Sequence, residues 1–153
     1  MQTNTLSTIT CPVSAERVNE SVVRLSAFLV VLLSLLALFI QSYGLMLILA
    51  IDFGLRAFTI GKWSVLKQFS MNATQWLKLP QKLTDAAPKK FAAAVGFMFC
   101  LGIAICLYFG LLNTAYTITA VLLICAFLES FAGYCVGCQV YSWVYLPLKK
   151  AFF

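Results

Sequence analysis

The sequence predicts an all-α integral membrane protein: four transmembrane helices arranged as two hairpins, with an amphipathic interfacial helix between the second and third spans, all within one membrane domain covering residues 1–153. Three observations carry that expectation. The composition is too apolar for a water-facing globule, four apolar runs approach the roughly 20 residues a helix needs to cross hydrocarbon, and the cations segregate. The chain is 62% hydrophobic and 10% charged, against roughly 45–50% apolar and 25% charged in a soluble domain. Its mean hydropathy is +0.94. The excess of 11 Lys and Arg over 5 Asp and Glu falls where it would meet an anionic inner leaflet, and nucleic acid is not expected as a partner.

The first predicted span, residues 22–41, is almost purely aliphatic after Arg24. The second, residues 44–61, is shorter and carries Asp52 and Arg56. Residues 91–112 make the third span and residues 115–137 the fourth, interrupted by Glu129. Ser42-Tyr43 and Asn113-Thr114 leave room only for tight turns, hence the two hairpins. Arg17, the lysines between residues 62 and 90, and Lys149 and Lys150 fall in the two tails and the central segment, whereas both hairpin turns lack Lys and Arg. The positive-inside rule then puts both termini in the cytoplasm. A cleavable signal peptide is not expected, because Glu16 and Glu20 precede the first span and no basic start is present.

The central segment is too polar to span. At about 100° per residue, Trp63, Leu66, Phe69, Ala73 and Trp76 share one half of a helix over residues 63–78, opposite Ser64, Lys67, Thr74 and Lys78. Met71 breaks the pattern. This predicts a helix on the inner leaflet, with Trp63, Phe69 and Trp76 at headgroup depth and Lys67 and Lys78 toward phosphate.

Two groups of residues carry candidate chemistry. Cys100, Cys106 and Cys125 lie in apolar runs and read as small hydrophobes. Cys135 and Cys138 form a CxxC at the expected cytoplasmic end of the fourth span, and Cys11 precedes the first span on the same face. The three thiols fit a redox dithiol, a sulfur relay or, less well, a zinc site lacking a fourth ligand, since the chain has no histidine. No cofactor is assigned. A CxxC at a helix C-terminus faces a dipole that raises thiol pKa, which counts against an efficient nucleophile. The second group is Arg24, Asp52, Arg56 and Glu129, expected as a balanced two-acid, two-base network just inside the membrane. Arg56 lies about 7 Å from its helix end and Glu129 about 9 Å from Cys135 at 1.5 Å per residue. The outer halves of the spans carry no ionisable group except cysteine or tyrosine.

Cys11-Pro12, Val23-Arg24-Leu25-Ser26-Ala27, the run from Asp52 to Phe58, Pro88-Lys89-Lys90-Phe91-Ala92 and Leu128-Glu129 followed by Gly133-Tyr134-Cys135-Val136-Gly137-Cys138 resemble the successive signatures of a bacterial membrane family catalogued as domain of unknown function 4395. The resemblance spans nearly the whole chain and implies a small multi-span protein marked by these cysteines and charges. It implies no activity. The segment after Arg56 departs from the family pattern in having no proline.

Three functions follow as expectations. The first is a cytoplasm-facing three-cysteine site that handles disulfide or persulfide sulfur with a soluble rhodanese or thioredoxin-like partner, Arg24 or Arg56 stabilising the thiolate. The second is a small oligomeric transporter or channel subunit that uses Asp52, Arg56 and Glu129. As a homo-oligomer it would pack through Gly96, Gly102 and Ala104. The third is an assembly or interaction protein with a structural thiolate metal site. Whether the protein is an enzyme is left open.

Overall fold

The structure, a computed structural model, describes residues 17–59 and 63–152. Cys11, and the Gly61 end of the second predicted span, lie outside the described residues. The order of elements is β1 (Arg17–Asn19), α1 (Glu20–Ile40), α2 (Tyr43–Phe58), α3 (Val65–Trp76), β2 (Leu83–Asp85), α4 (Ala86–Tyr108), α5 (Leu112–Ala132) and α6 (Val136–Phe152). The fold is all-α apart from the two short strands.

Local chemistry sets the element ends. Asn19 Oδ1 accepts the Ser21 N–H at 3.1 Å and so caps α1, and Ser42 and Ser64 cap α2 and α3 in the same way. Gln41, at φ 54°, stops α1. The second tight turn is not at Asn113-Thr114 as expected. It falls at residues 109–111, where Gly110 adopts φ 71°, and Asn113 and Thr114 lie in the first turn of α5. Glycine bears a left-handed conformation without steric cost, so the chain reverses there first. Helix α4 begins at Ala86 rather than residue 91; Pro88 is tolerated because a helix's first N–H groups have no internal partner.

Helices α1, α4 and α5 are long and apolar enough to cross a membrane. Helix α2, with 16 residues, is shorter. Together these four make a bundle whose packing differs from the chain order. Helix α2 packs most extensively on α4, and α1 on α5, so neither hairpin is its own main partner. Where two helices approach closely, side chain meets glycine: Phe53 lies over Gly96 and Phe97 over Gly54. Gly96 and Ala104, expected at an oligomer contact, are thus used within the chain, while Gly102 has nothing within 4 Å of its Cβ direction. The core is built of Ala37, Met46, Leu49, Ala50, Cys100 and Ile103 with their neighbours. Large residues such as Leu32, Leu36, Phe39 and Ile48 are exposed. Small residues inside and large apolar ones outside are the pattern of helices packed in lipid.

Two features were not foreseen. Strand β1 pairs antiparallel with β2, Val18 opposite Thr84, and the Glu20 N–H donates to the Lys82 carbonyl at 2.8 Å. The start of α1 is thereby stitched to the segment before α4. The apolar run that reads as one span to residue 137 is broken: α5 stops at Ala132 and a separate helix, α6, packs against α4. The break is at Gly133, φ 65°, where the N–H groups of Gly133 and Tyr134 both turn back to the Leu128 carbonyl.

Candidate functional site

Among the described residues, Arg24, Asp52, Arg56, Glu129, Cys135 and Cys138 gather at one end of the bundle, formed by the start of α1, the end of α2, the start of α4 and the end of α5. They fall into two clusters rather than one network.

The inner cluster is centred on Asp52 and Arg56. Arg56 Nε is 3.1 Å from Asp52 Oδ2 and also donates to Ser64 Oγ at 3.0 Å. Ser64 Oγ donates to Asp52 Oδ1 at 2.8 Å, which also accepts the Leu66 N–H at 3.3 Å. Arg56 Nη1 donates to Ser26 Oγ on α1 at 3.1 Å. One buried ion pair therefore ties α1, α2 and the first turn of α3 together. Ser26 and Ser64 were missed as members because their partners are distant in sequence; only the helix-capping pattern of Ser64 was visible.

Arg24 does not join that pair. It binds Glu20, one turn earlier on its own helix, at 2.6 Å; Glu20 was counted in the sequence as an acidic flank, yet it is the nearest carboxylate. Lys82 lies 3.6 Å from the other Glu20 oxygen. Glu129, half-buried on α5, lies between the clusters, coupled electrostatically to Arg56 and Lys89 and through its side chain to Cys135.

The outer cluster holds the cysteines. Cys135 is not at a helix C-terminus: it immediately precedes α6. The Cys138 N–H donates to Cys135 Sγ at 3.3 Å, and the Gln139 N–H donates to the Cys135 carbonyl at 3.1 Å. Cys135 is thus the cap of α6, and Cys138 lies in the first turn of that helix, where the dipole favours a thiolate. The expected sign of the dipole effect is reversed because Gly133 ends one helix and lets another begin. Both thiols are free and half-buried. A hydrogen bond between the thiols holds Cys138 below the ordinary cysteine value and pushes Cys135 up, with burial and the Glu129 carboxylate adding to the rise. The backbone N–H of Cys138 opposes that rise at Cys135. The pair therefore loses its first proton easily and holds the second, as coupled groups do.

The cysteines open on a cleft of about 620 Å³ lined also by Arg24, Lys82, Lys89, Glu129 and Gln139. The Arg24 guanidinium lies against Gly133, where a Cβ would collide with it. Gly133→Ala is expected to lower stability by about 1–2 kcal/mol, from the left-handed backbone, and to displace Arg24 from the cleft. Thermal unfolding of the purified protein checks the first effect, and a changed alkylation rate at Cys138 the second.

Of the expected interface residues, Trp63, Phe69 and Trp76 are 77%, 61% and 85% exposed, so most of each side chain is left uncovered by the described chain. Ser64 and Thr74 of the expected polar half are buried, because α3 rests on α1. Lys67 is half-buried at an inner cavity and Lys78 is exposed. Among the described residues no three His, Cys, Asp or Glu side chains converge to hold a metal ion.

The fold and site define an all-α protein with three helices long and apolar enough to cross a membrane and two neighbouring thiols at one end of its bundle. The chain belongs to the family described as domain of unknown function (DUF4395), whose model matches residues 18–145, as the motif resemblance implied. No curated protein and no solved structure matches it.

Proposed function

We propose that this protein is a bacterial inner-membrane dithiol carrier, with α1, α2, α4 and α5 all crossing, both termini cytoplasmic, and Cys135 and Cys138 exchanging disulfide or persulfide sulfur with a soluble thioredoxin-like or rhodanese-like partner. The observation that carries this reading is the position of the pair across the start of α6, Cys135 as its cap with the Cys138 N–H on its sulfur and Cys138 in its first turn. A CxxC across the first turn of a helix favours a thiolate. Lys89 lines the same cleft as the pair, beside Glu129 and the Glu20 ion pairs of Arg24 and Lys82.

Helix α2 reaches about 24 Å at 1.5 Å per residue, short of the roughly 30 Å hydrocarbon core. Its close packing on α4 supports its crossing with local thinning of the bilayer. The exposed tryptophans flanking α3 support an interfacial seat for that helix. In the exchange, the thiolate of the pair attacks a partner disulfide, forming a mixed disulfide and releasing one partner thiolate. The second cysteine attacks the mixed disulfide and releases the other, so two electrons pass from the pair to the partner. With a partner persulfide, the thiolate takes the terminal sulfur and the partner leaves as its thiolate. Cys11 serves as third thiol: six residues before Arg17, it is within about 20 Å of tether of a strand whose partner residues Leu83 and Thr84 line the cleft.

The transporter reading has less support, because both Asp52 oxygens are occupied by Arg56, Ser64 and the Leu66 N–H. The test is labelling with a membrane-impermeant maleimide. Cys138 should react in inverted vesicles and not in intact cells, and reaction from outside would overturn the topology. Cys11→Ser should slow exchange at the pair; an unchanged rate would remove Cys11 from the mechanism.

A further inference from the structure

Beyond its first turn, α6 has no part in the dithiol chemistry, yet its sequence is two-sided. At about 100° per residue, Val136, Val140, Trp143, Val144, Leu148 and Phe152 fall on one half of the helix, and Cys138, Gln139, Ser142, Lys149 and Lys150 on the other. Leu146 departs from the pattern, and no acidic residue occurs after Glu129. The apolar half is covered only in part. Gly137 lies against Ala92 of α4, where a Cβ would collide, and the Tyr141 ring meets Phe91 with centroids 5.6 Å apart. Past these contacts Val140, Val144 and Leu148 are exposed, and Trp143 and Phe152 are 82% and 83% exposed.

What covers this face follows from where α6 crosses α4. From Gly137 to Tyr141 the contact moves forward by a full turn of α6 but back only from Ala92 to Phe91 on α4, so α6 lies across α4 rather than alongside it. The crossing falls where Pro88-Lys89-Lys90 gives way to the apolar run of α4, the level at which headgroups meet hydrocarbon in a crossing helix. Phe91 also heads the exposed stripe of α4 that continues through Met98 and Ile105 at seven-residue intervals. The open face of α6 is therefore continuous with the side of α4 that meets lipid. Helix α6 does not suit the hydrocarbon itself, because Pro147 cannot return an N–H to the Trp143 carbonyl, which water and headgroups can satisfy and acyl chains cannot.

We propose that α6 lies in the headgroup layer of the bilayer, with Trp143, Val144, Leu148 and Phe152 entering the acyl boundary and the exposed Lys150 at the level of the phosphates. An aromatic and aliphatic face backed by lysines and free of carboxylates is the pattern of a helix seated on an anionic lipid surface. Because α6 opens at Cys135 and Cys138, this seat holds the pair at the membrane surface. The inference rests on α4 crossing the bilayer, and it is independent of the thiol chemistry.

The test uses the full chain in vesicles of phosphatidylcholine and phosphatidylglycerol, with phosphatidylcholine brominated either close to the headgroup or close to the chain end. Trp63→Phe with Trp76→Phe leaves Trp143 as the sole tryptophan. Its emission should be blue-shifted and quenched several-fold more by the shallow bromines than by the deep ones. The difference between the native protein and Trp143→Phe reads the same quantity with the tryptophans beside α3 intact, which guards against misfolding of the double variant. Val144→Asp, on the apolar half, should reduce the quenching several-fold, and Ser142→Asp, on the polar half, should leave it unchanged. A water-like emission, leaving the face to a soluble partner, would overturn the proposal. So would a blue-shifted indole that no bromine quenches, the sign of a second copy on this face, or stronger quenching by the deep bromines. Extraction with alkaline carbonate from the same vesicles separates the two levels of failure. An unquenched Trp143 in a chain that resists extraction strikes the seat of α6 alone, whereas an extracted chain strikes the crossing of α4 and the seat with it. Loss of thiol exchange with the quenching profile intact would strike the dithiol reading alone.

Discussion

Asp52→Ala is expected to lower stability by about 3–5 kcal/mol, the range for removing one partner of a buried ion pair. Asp52 is 6% exposed, and without it Arg56 Nε keeps only Ser64 while its charge stays buried. The loss has a second part, because Asp52 Oδ1 also receives the Ser64 hydroxyl and the Leu66 N–H. Helix α3 should therefore detach from α1 before the bundle melts. Trp63 and Trp76 flank α3, so tryptophan emission during thermal unfolding in detergent should show an early step absent from the native protein. Asp52→Ala combined with Arg56→Met should recover most of the stability, since replacing both partners by apolar groups is often close to neutral. Equal losses in the single and double variants would show that the pair is not what holds these elements.

The dithiol yields the second large effect. Alkylation of the pair should begin at a lower pH than alkylation of a free thiol, with Cys138 reacting before Cys135. The sign follows from the hydrogen bond between the sulfurs. A donated proton stabilises the Cys138 thiolate, lowering its pKa, and the donor Cys135 is raised in return. Cys135→Ala removes that donor, so the alkylation midpoint of Cys138 should move up toward the ordinary cysteine value, with a loss of rate of an order of magnitude or more near neutrality. Rates measured by mass spectrometry across pH decide it; an unmoved midpoint would show that the sulfurs titrate independently.

These sites differ in how far they can be read from residues alone. Asp52 and Arg56 stand one helical turn apart, so their pairing is local and visible in the spacing. Ser26, which completes the cluster, comes from another helix, and nothing in its own neighbourhood marks it. Arg24 pairs with Glu20 rather than with the charges inside the bundle, because a carboxylate at i−4 is a closer partner than any on another helix. The end of α5 was misplaced for a different reason. Hydrophobicity continues through Gly133 into Val136 and conceals the reversal, and the left-handed conformation of one glycine decides whether Cys135 closes a helix or opens one. The site's composition was legible; the polarity of the helix field on its sulfur was not.

The exchange of partners between the hairpins also bears on biosynthesis. Because α1 packs more extensively on α5 than on α2, the first hairpin leaves the ribosome without the neighbour it is shaped for and must wait in lipid with one side of α1 unmatched. Insertion and assembly are therefore separate events in this chain, and a product stalled before α5 would display that side of α1 to the membrane as a mark of incompleteness. Two stalled or crowded copies also have a simple way to err, with α1 of one closing the bundle of the other.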